Sequence, residues 1–282
     1  MALLLGLITA MALGVGDFIA GQVTKRVPTL IVVLYAQVFG ALIMVPTAII
    51  SGHSLTFSAV IWGLLAGVSL GIGFMLYFRS LSLGKMGVVS SLTGILSAII
   101  PVFTGLLIGE RPGAGALFAV VLIVFAITFI TKKEENGSKT AVKSNTAVLA
   151  QAALAGIMIG LFFVFLHIPG AGESMWTVSF AMTGSFLPVA AILLYKRADI
   201  YRVSKNAWGY ILANGFLQTF ATITYVLGVN IGLMSIVALA GALSPLFTVI
   251  CARLIINERL NKTQIAGFVL ALTGVTILVL ST

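Results

Sequence analysis

The chain has 282 residues, of which 60% are hydrophobic and 8% charged, and its mean hydropathy is +1.18. So few polar groups cannot cover a water-soluble globule of this length, which excludes a soluble enzyme or binding module and leaves an integral membrane protein. The net charge of +9 is not a nucleic-acid signature, because the basic residues sit in short gaps between apolar runs, where they act as orientation signals.

A membrane-spanning helix needs about 20 mostly apolar residues. The sequence supplies ten such runs, near 2–21, 29–50, 57–80, 86–108, 113–131, 146–168, 174–195, 207–229, 233–256 and 263–281. The expected fold is all-α, with ten transmembrane helices. The first run has no basic stretch before it and no small-residue cleavage site, so it is read as a retained helix.

That first run carries Asp17. The other acids, Glu110, Glu134, Glu135, Glu173, Asp199 and Glu258, fall at run ends or in gaps, which leaves Asp17 alone inside a span. An Asp costs about 2.5–3.5 kcal/mol at the centre of an inserted helix, so one kept there is a functional candidate. It either binds a cationic group of a substrate or carries a coupling proton. A structural alternative stands beside these: Asp17 precedes Lys25 and Arg26 by about two helical turns and pairs near the interface with Arg79 or Arg253.

The second run contributes Gln37 and Pro46, and the third a stripe of Gly63, Gly67 and Gly71, which lets a neighbouring backbone approach closely. Tyr77, near the end of the third run, is either an interfacial anchor or a cavity wall. On the fourth, Ser90, Gly94, Ser97 and Pro101 recur at helical spacing with Thr93 beside them, and on the eighth Asn214, Gln218 and Tyr225 do the same. In lipid a polar side chain needs a partner or water, so both stripes face the bundle interior, as cavity lining or as interhelical staples. Pro101 and Pro245 stand inside the fourth and ninth runs, Pro46 and Pro188 inside the second and seventh. Each removes a backbone hydrogen bond, and Pro101 and Pro245 are candidate hinges. Cys251 is the single cysteine and lies in an apolar run, so no disulfide within the chain is available.

The chain is also doubled. Tyr77–Arg111 aligns without a gap on Tyr225–Arg259 at an offset of 148, matching Gly84 with Gly232, Met86 with Met234, Glu110 with Glu258 and Arg111 with Arg259. The first two runs align at 144, placing Gly16 on Gly160 and Gly40 on Gly184. Two five-helix repeats follow, 1–131 and 146–282, joined by a polar linker at 132–145. An odd number of spans brings the second repeat in from the opposite face, so the repeats are expected to be inverted, the pattern of many secondary transporters with a substrate site at the repeat interface. Glu110-Arg111 and Glu258-Arg259 close the fourth and ninth runs, where each acid is expected to cap the next helix or pair with a nearby base and so fix a hairpin.

Lys25, Arg26, Arg79, Lys85, Lys132, Lys133, Lys139, Lys143, Lys196, Arg197, Arg202, Lys205, Arg259 and Lys262 all belong to odd-numbered connections, and Arg111 alone to an even one. This bias places the linker in the cytoplasm and both termini outside a plasma (cell inner) membrane. The residues offer no Lys-bearing Gly-rich nucleotide loop, no His-Glu-x-x-His and no paired Asp cluster, and His53 and His167 are 114 residues apart. No cofactor, metal or nucleic acid is expected, and no enzyme site. A membrane enzyme acting on a lipid head group would need acids, His or Ser gathered at one interface, which these residues do not assemble.

Gly16-Asp17-Phe18, Tyr77 to Gly84, Gly109-Glu110-Arg111-Pro112 and Asn257-Glu258-Arg259 together resemble the drug/metabolite transporter superfamily, specifically its EamA-type ten-helix members, over essentially the whole chain. Ser244-Pro245, thirteen residues before Glu258, looks like that family's spacing, whereas in the first half Ser97 takes the equivalent place and Pro101 comes one turn later. The resemblance implies alternating access, with a cavity between the halves lined by the first to fourth and sixth to ninth helices. It also implies small-molecule cargo, since members carry amino acids, sugars, nucleosides and organic cations, often outward. The expected function is a secondary-active transporter, an exporter of a small metabolite or drug-like solute driven by a coupling proton or ion, acting as a monomer or homodimer. A passive facilitator and a non-transporting membrane scaffold are the alternatives. The expected cavity residues are Asp17, Gln37, Tyr77, Ser90, Thr93, Ser97, Asn214, Gln218, Tyr225 and Ser244.

Overall fold

A computed structural model describes residues 1–83, 86–111, 113–131, 146–195, 203–256 and 262–281. In a bilayer every backbone N–H and C=O must be satisfied within the protein, and the helix does this locally. The described residues accordingly form eleven α-helices and one 3-10 turn at Ala171–Glu173. The helices are α1 (Ala2–Val23), α2 (Thr29–Ile50), α3 (Phe57–Leu83), α4 (Met86–Leu107), α5 (Ala114–Thr131) and α6 (Thr146–His167). They continue as α7 (Ser174–Tyr195), α8 (Lys205–Val229), α9 (Met234–Gly241), α10 (Ser244–Ile255) and α11 (Lys262–Ser281). Among the described residues, seven stretches are long and apolar enough to cross a membrane: α1, α2, α6, α8, Phe57–Leu81, Ala171–Tyr195 and Met234–Ile255. The runs expected at 86–108, 113–131 and 263–281 coincide with α4, α5 and α11.

The ninth run departs from expectation, because it is two helices rather than one bent one. Pro46, Pro101 and Pro188 sit inside uninterrupted helices, but the chain before Pro245 breaks at Ala242-Leu243. Proline lacks the N–H that would bond the carbonyl four residues back and its ring crowds that carbonyl, so the damage falls on the turn before it. Here Leu243 N bonds to Ala240 O at 3.2 Å and Leu246 N to Leu243 O at 2.9 Å, a tightened connection between α9 and α10.

Most helix packing runs between the two halves of the sequence. α1 lies against α8, α9 and α10, α3 against α6 and α7, α2 against α7 and α8, α4 against α6 and α9, and α5 against α11. Exchanging α1–α5 for their repeat equivalents maps these pairs onto one another. Lipid gives no hydrophobic drive between helices, so close backbone approach is what joins them. The glycine stripe of α3 provides it: a Cβ on Gly67 would collide with Ala181 O and lie 2.8 Å from Gly184 Cα, and one on Gly63 would lie 2.6 Å from Phe180 Cβ, all on α7.

Glu110 does not serve its own hairpin. Its carboxylate accepts from Met234 N at 2.6 Å and Ser235 N at 3.0 Å, capping α9 in the other half, because the chain after α4 turns back toward that helix. Arg111 is exposed beside it, while Glu258, Arg259 and the linker 132–145 lie outside the described residues.

Candidate functional site

Where α1, α3, α4, α6, α7, α8 and the α9–α10 break converge, they enclose a small cavity, of which water can occupy about 60 Å³. That is room for a few waters and well short of the several hundred Å³ a drug-sized ligand needs. Of the ten polar residues singled out in the sequence, Asp17, Tyr77, Thr93, Ser97, Gln218 and Ser244 line it, together with Pro245.

Asp17 sits in the second half of α1, directly after Gly16, and α8 brackets this pair from across the bundle. Asn214 and Gln218 are one helical turn apart, so both amides point the same way. Asn214 Nδ2 donates to Gly16 O at 2.9 Å, and Gln218 Nε2 donates to Asp17 Oδ1 at 3.2 Å. The small Gly16 permits this: a Cβ there would already be 3.4 Å from Gln218 Nε2. The Tyr77 hydroxyl from α3 also hydrogen-bonds Asp17. The described partners of Asp17 are thus neutral donors, and the pairing with Arg79 or Arg253 is not seen among the described residues. A carboxylate held by an amide and a phenol keeps lone pairs free for a proton or a cationic group.

The hydroxyls divide by role. Ser97 Oγ donates to Gly94 O at 3.0 Å in its own helix, whereas Thr93 Oγ1 crosses to Ala152 O on α6 at 3.0 Å and fastens α4 to the other half. Thr222 lines the cavity and bonds back to Gln218 O at 2.9 Å.

Three of the expected residues lie away from the lining. Asn214 is spent on the Gly16 carbonyl. Tyr225, the repeat equivalent of Tyr77, is fully buried, with Oη donating to Phe163 O at 3.4 Å and its ring against Phe163 at 4.4 Å. Gln37 is buried in α2, and its Nε2 has no hydrogen-bond partner among the described residues. The Ser90 side chain lies outside the described residues, and Pro101 is buried off the cavity inside α4.

The sequence reading missed the apolar wall: Phe74, Phe162, Phe163, Leu70, Ile159 and Met182. Phe74 stands one turn before Tyr77, a spacing that could have linked them. The cavity thus sets one carboxylate among a largely aromatic and aliphatic surface. Among the described residues no three His, Cys, Asp or Glu side chains gather as a metal site.

Seven long apolar stretches, with a partly buried acid lining a cavity between the two halves of the sequence, mark a multi-pass membrane protein. The sequence profile of the EamA-like transporter family matches residues 1–132 and again 146–280, and the chain belongs to that family of membrane transporters, with its two-repeat architecture. No curated protein matches the sequence. Among solved structures 29 chains match. One crystal structure superposes with a TM-score of 0.77 at 16% identity, covering 99% of this chain and 97% of that one, a likeness of fold alone.

Proposed function

We propose that this chain is a secondary-active transporter that exports a small metabolite or drug-like solute across the cell inner membrane by alternating access. The observation that carries the reading is Asp17, a carboxylate inside a cavity between the halves, held by the neutral donors Gln218 and Tyr77 and facing an aromatic wall. Asp17 is the proton or cation site. Thr93, Ser97, Gln218, Ser244 and Tyr77 form the polar side of the solute's path, and the break before Pro245 is the hinge.

The architecture we propose is ten passes in two inverted five-helix repeats, 1–131 and 146–282. The odd span count of each repeat supports it, as does the way helix pairs map onto one another when the halves are exchanged. The distribution of Lys and Arg supports a cytoplasmic linker at 132–145 and outer termini.

Transport into or out of proteoliposomes across a range of pH, comparing the parent with Asp17→Asn, tests the reading. Proton-dependent accumulation against a gradient that disappears in Asp17→Asn is the expected result. A pH response unchanged by the substitution overturns the role of Asp17, and equilibration without accumulation marks a passive facilitator.

A further inference from the structure

The end of α4 shows how a carboxylate from one half reaches the other. Gly109 takes φ +94°, a conformation that favours glycine, just past the helix. Its N–H bonds to Leu106 O at 3.2 Å and the N–H of Glu110 bonds to Gly105 O at 2.9 Å. These two reversed bonds terminate the helix and turn residue 110 back along it. The Glu110 side chain then lies over Gly105, where a Cβ would collide with the carboxylate, and reaches Met234 N and Ser235 N, the first N–H groups of α9. α9 has no cap of its own, since Leu233 supplies no side-chain acceptor.

All of α9 is buried, and Ala238 and Gly241 from it line the cavity. A Cβ on Gly6 of α1 would meet Ala240 Cβ at 2.7 Å, and one on Gly228 of α8 would meet Val237 at 2.9 Å, so α9 closes the bundle on this side. At its other end α9 stops at the break before Pro245. The short helix is therefore tied to the first half at one end and separated from α10 at the other.

We propose that Glu110 and the N-terminus of α9 form a latch between the halves, closed in this structure, whose release lets the cavity open on the face carrying the α4–α5 and α8–α9 connections. Its purpose rests on the transporter reading, but its test needs no transport. In a Cys251→Ser background, Ala238→Cys reports whether a membrane-impermeant maleimide, added to each side of oriented vesicles in turn, reaches the cavity.

Glu110→Gln should speed labelling from one side by roughly tenfold, the scale of losing a charge-assisted hydrogen bond. Met234→Pro is the second route, and serves if Glu110→Gln does not fold. Proline suits the first helical position, and Leu233 at φ −67° and ψ 132° already has the backbone that precedes a proline. It removes only the donor to Oε1, so labelling should rise by a smaller factor. Adding Leu233→Asp to Glu110→Gln restores a cap from within the second half, and labelling should stay fast because the tie between halves is still missing. Slow labelling in that double variant would make Glu110 a helix cap and nothing more, and unchanged labelling in both Glu110→Gln and Met234→Pro overturns the latch. Faster labelling in vesicles that show no transport would leave the latch standing and count against the transporter reading alone.

Discussion

Gln218 Nε2 on α8 donates to Asp17 Oδ1 on α1 at 3.2 Å, across a separation of 201 residues. The acid comes from one half and its amide partner from the other, so any relative movement of the halves changes what Asp17 is bonded to. On the proposed role of Asp17, a proton or cation there would compete for the oxygen that Gln218 holds, which would link occupancy of the carboxylate to the state of the cavity.

Asp17→Asn removes the charge and keeps the shape. Transport should fall by roughly tenfold or more and lose its pH dependence, a loss of at least about 1.4 kcal/mol in site function. Thermal stability should hold or rise, since a partly buried charge is exchanged for a neutral amide. Gln218→Leu should instead weaken both transport and stability by leaving Asp17 short of a donor. Proteoliposome transport and thermal unfolding in detergent, measured on the same preparations, separate the two.

The same substitution should have opposite signs at two glycines. Gly67→Ala drives a Cβ into the Ala181 carbonyl and should lower stability by about 1–3 kcal/mol, as overpacking does. Gly209→Ala on α8 meets nothing within 4 Å and should raise it by about 0.5–1 kcal/mol through helix propensity. Melting temperatures of the two variants decide this.

Pro245→Ala returns an N–H where α9 and α10 part, and should extend helical bonding across Ala242-Leu243. Amide exchange at Leu243 and Leu246 should slow several-fold, the scale expected when a frayed turn becomes helical, and transport should slow with it. Pro101→Ala should change neither by much, because α4 already runs unbroken through residue 101. Hydrogen–deuterium exchange on both variants is the measurement.

Gln37 is buried, its Nε2 has no hydrogen-bond partner among the described residues, and it lies off the cavity. Gln37→Met, of similar shape, should be neutral or stabilising by about 1 kcal/mol, since an unsatisfied buried amide costs that much or more. Transport lost at undiminished stability would instead place Gln37 on the solute's path in another state.

Much of the fold was legible in the sequence because lipid forces it: apolar runs of spanning length must become helices, whatever they pack against. Asp17 stood out for the same reason, as an acid where charge is costly. Tertiary partners were not legible. Glu110 reads as hairpin hardware from its neighbours, and only the turn at Gly109, set by the bonds to Leu106 and Gly105, sends it to α9. Asn214 and Gln218 share one stripe and one chemistry, yet the first meets a carbonyl and the second a carboxylate, a difference fixed by where Gly16 lies. Tyr77 and Tyr225 are equivalent by repeat and differ in role, because the acid opposite Tyr77 has Leu161 as its repeat equivalent. The aromatic wall was hidden among 18 phenylalanines, most of which any membrane bundle could carry.

The packing of α1, α2, α3 and α4 against helices of the second half also bears on how the chain is made. When the first five helices have left the ribosome, the narrow glycine faces of α1 and α3 still await α6 to α10. Most of their packing partners are made only later, so on contact order alone assembly should come late and join distant parts of the chain. Severed from its second half, the first half would have to find a copy of itself to complete the same contacts.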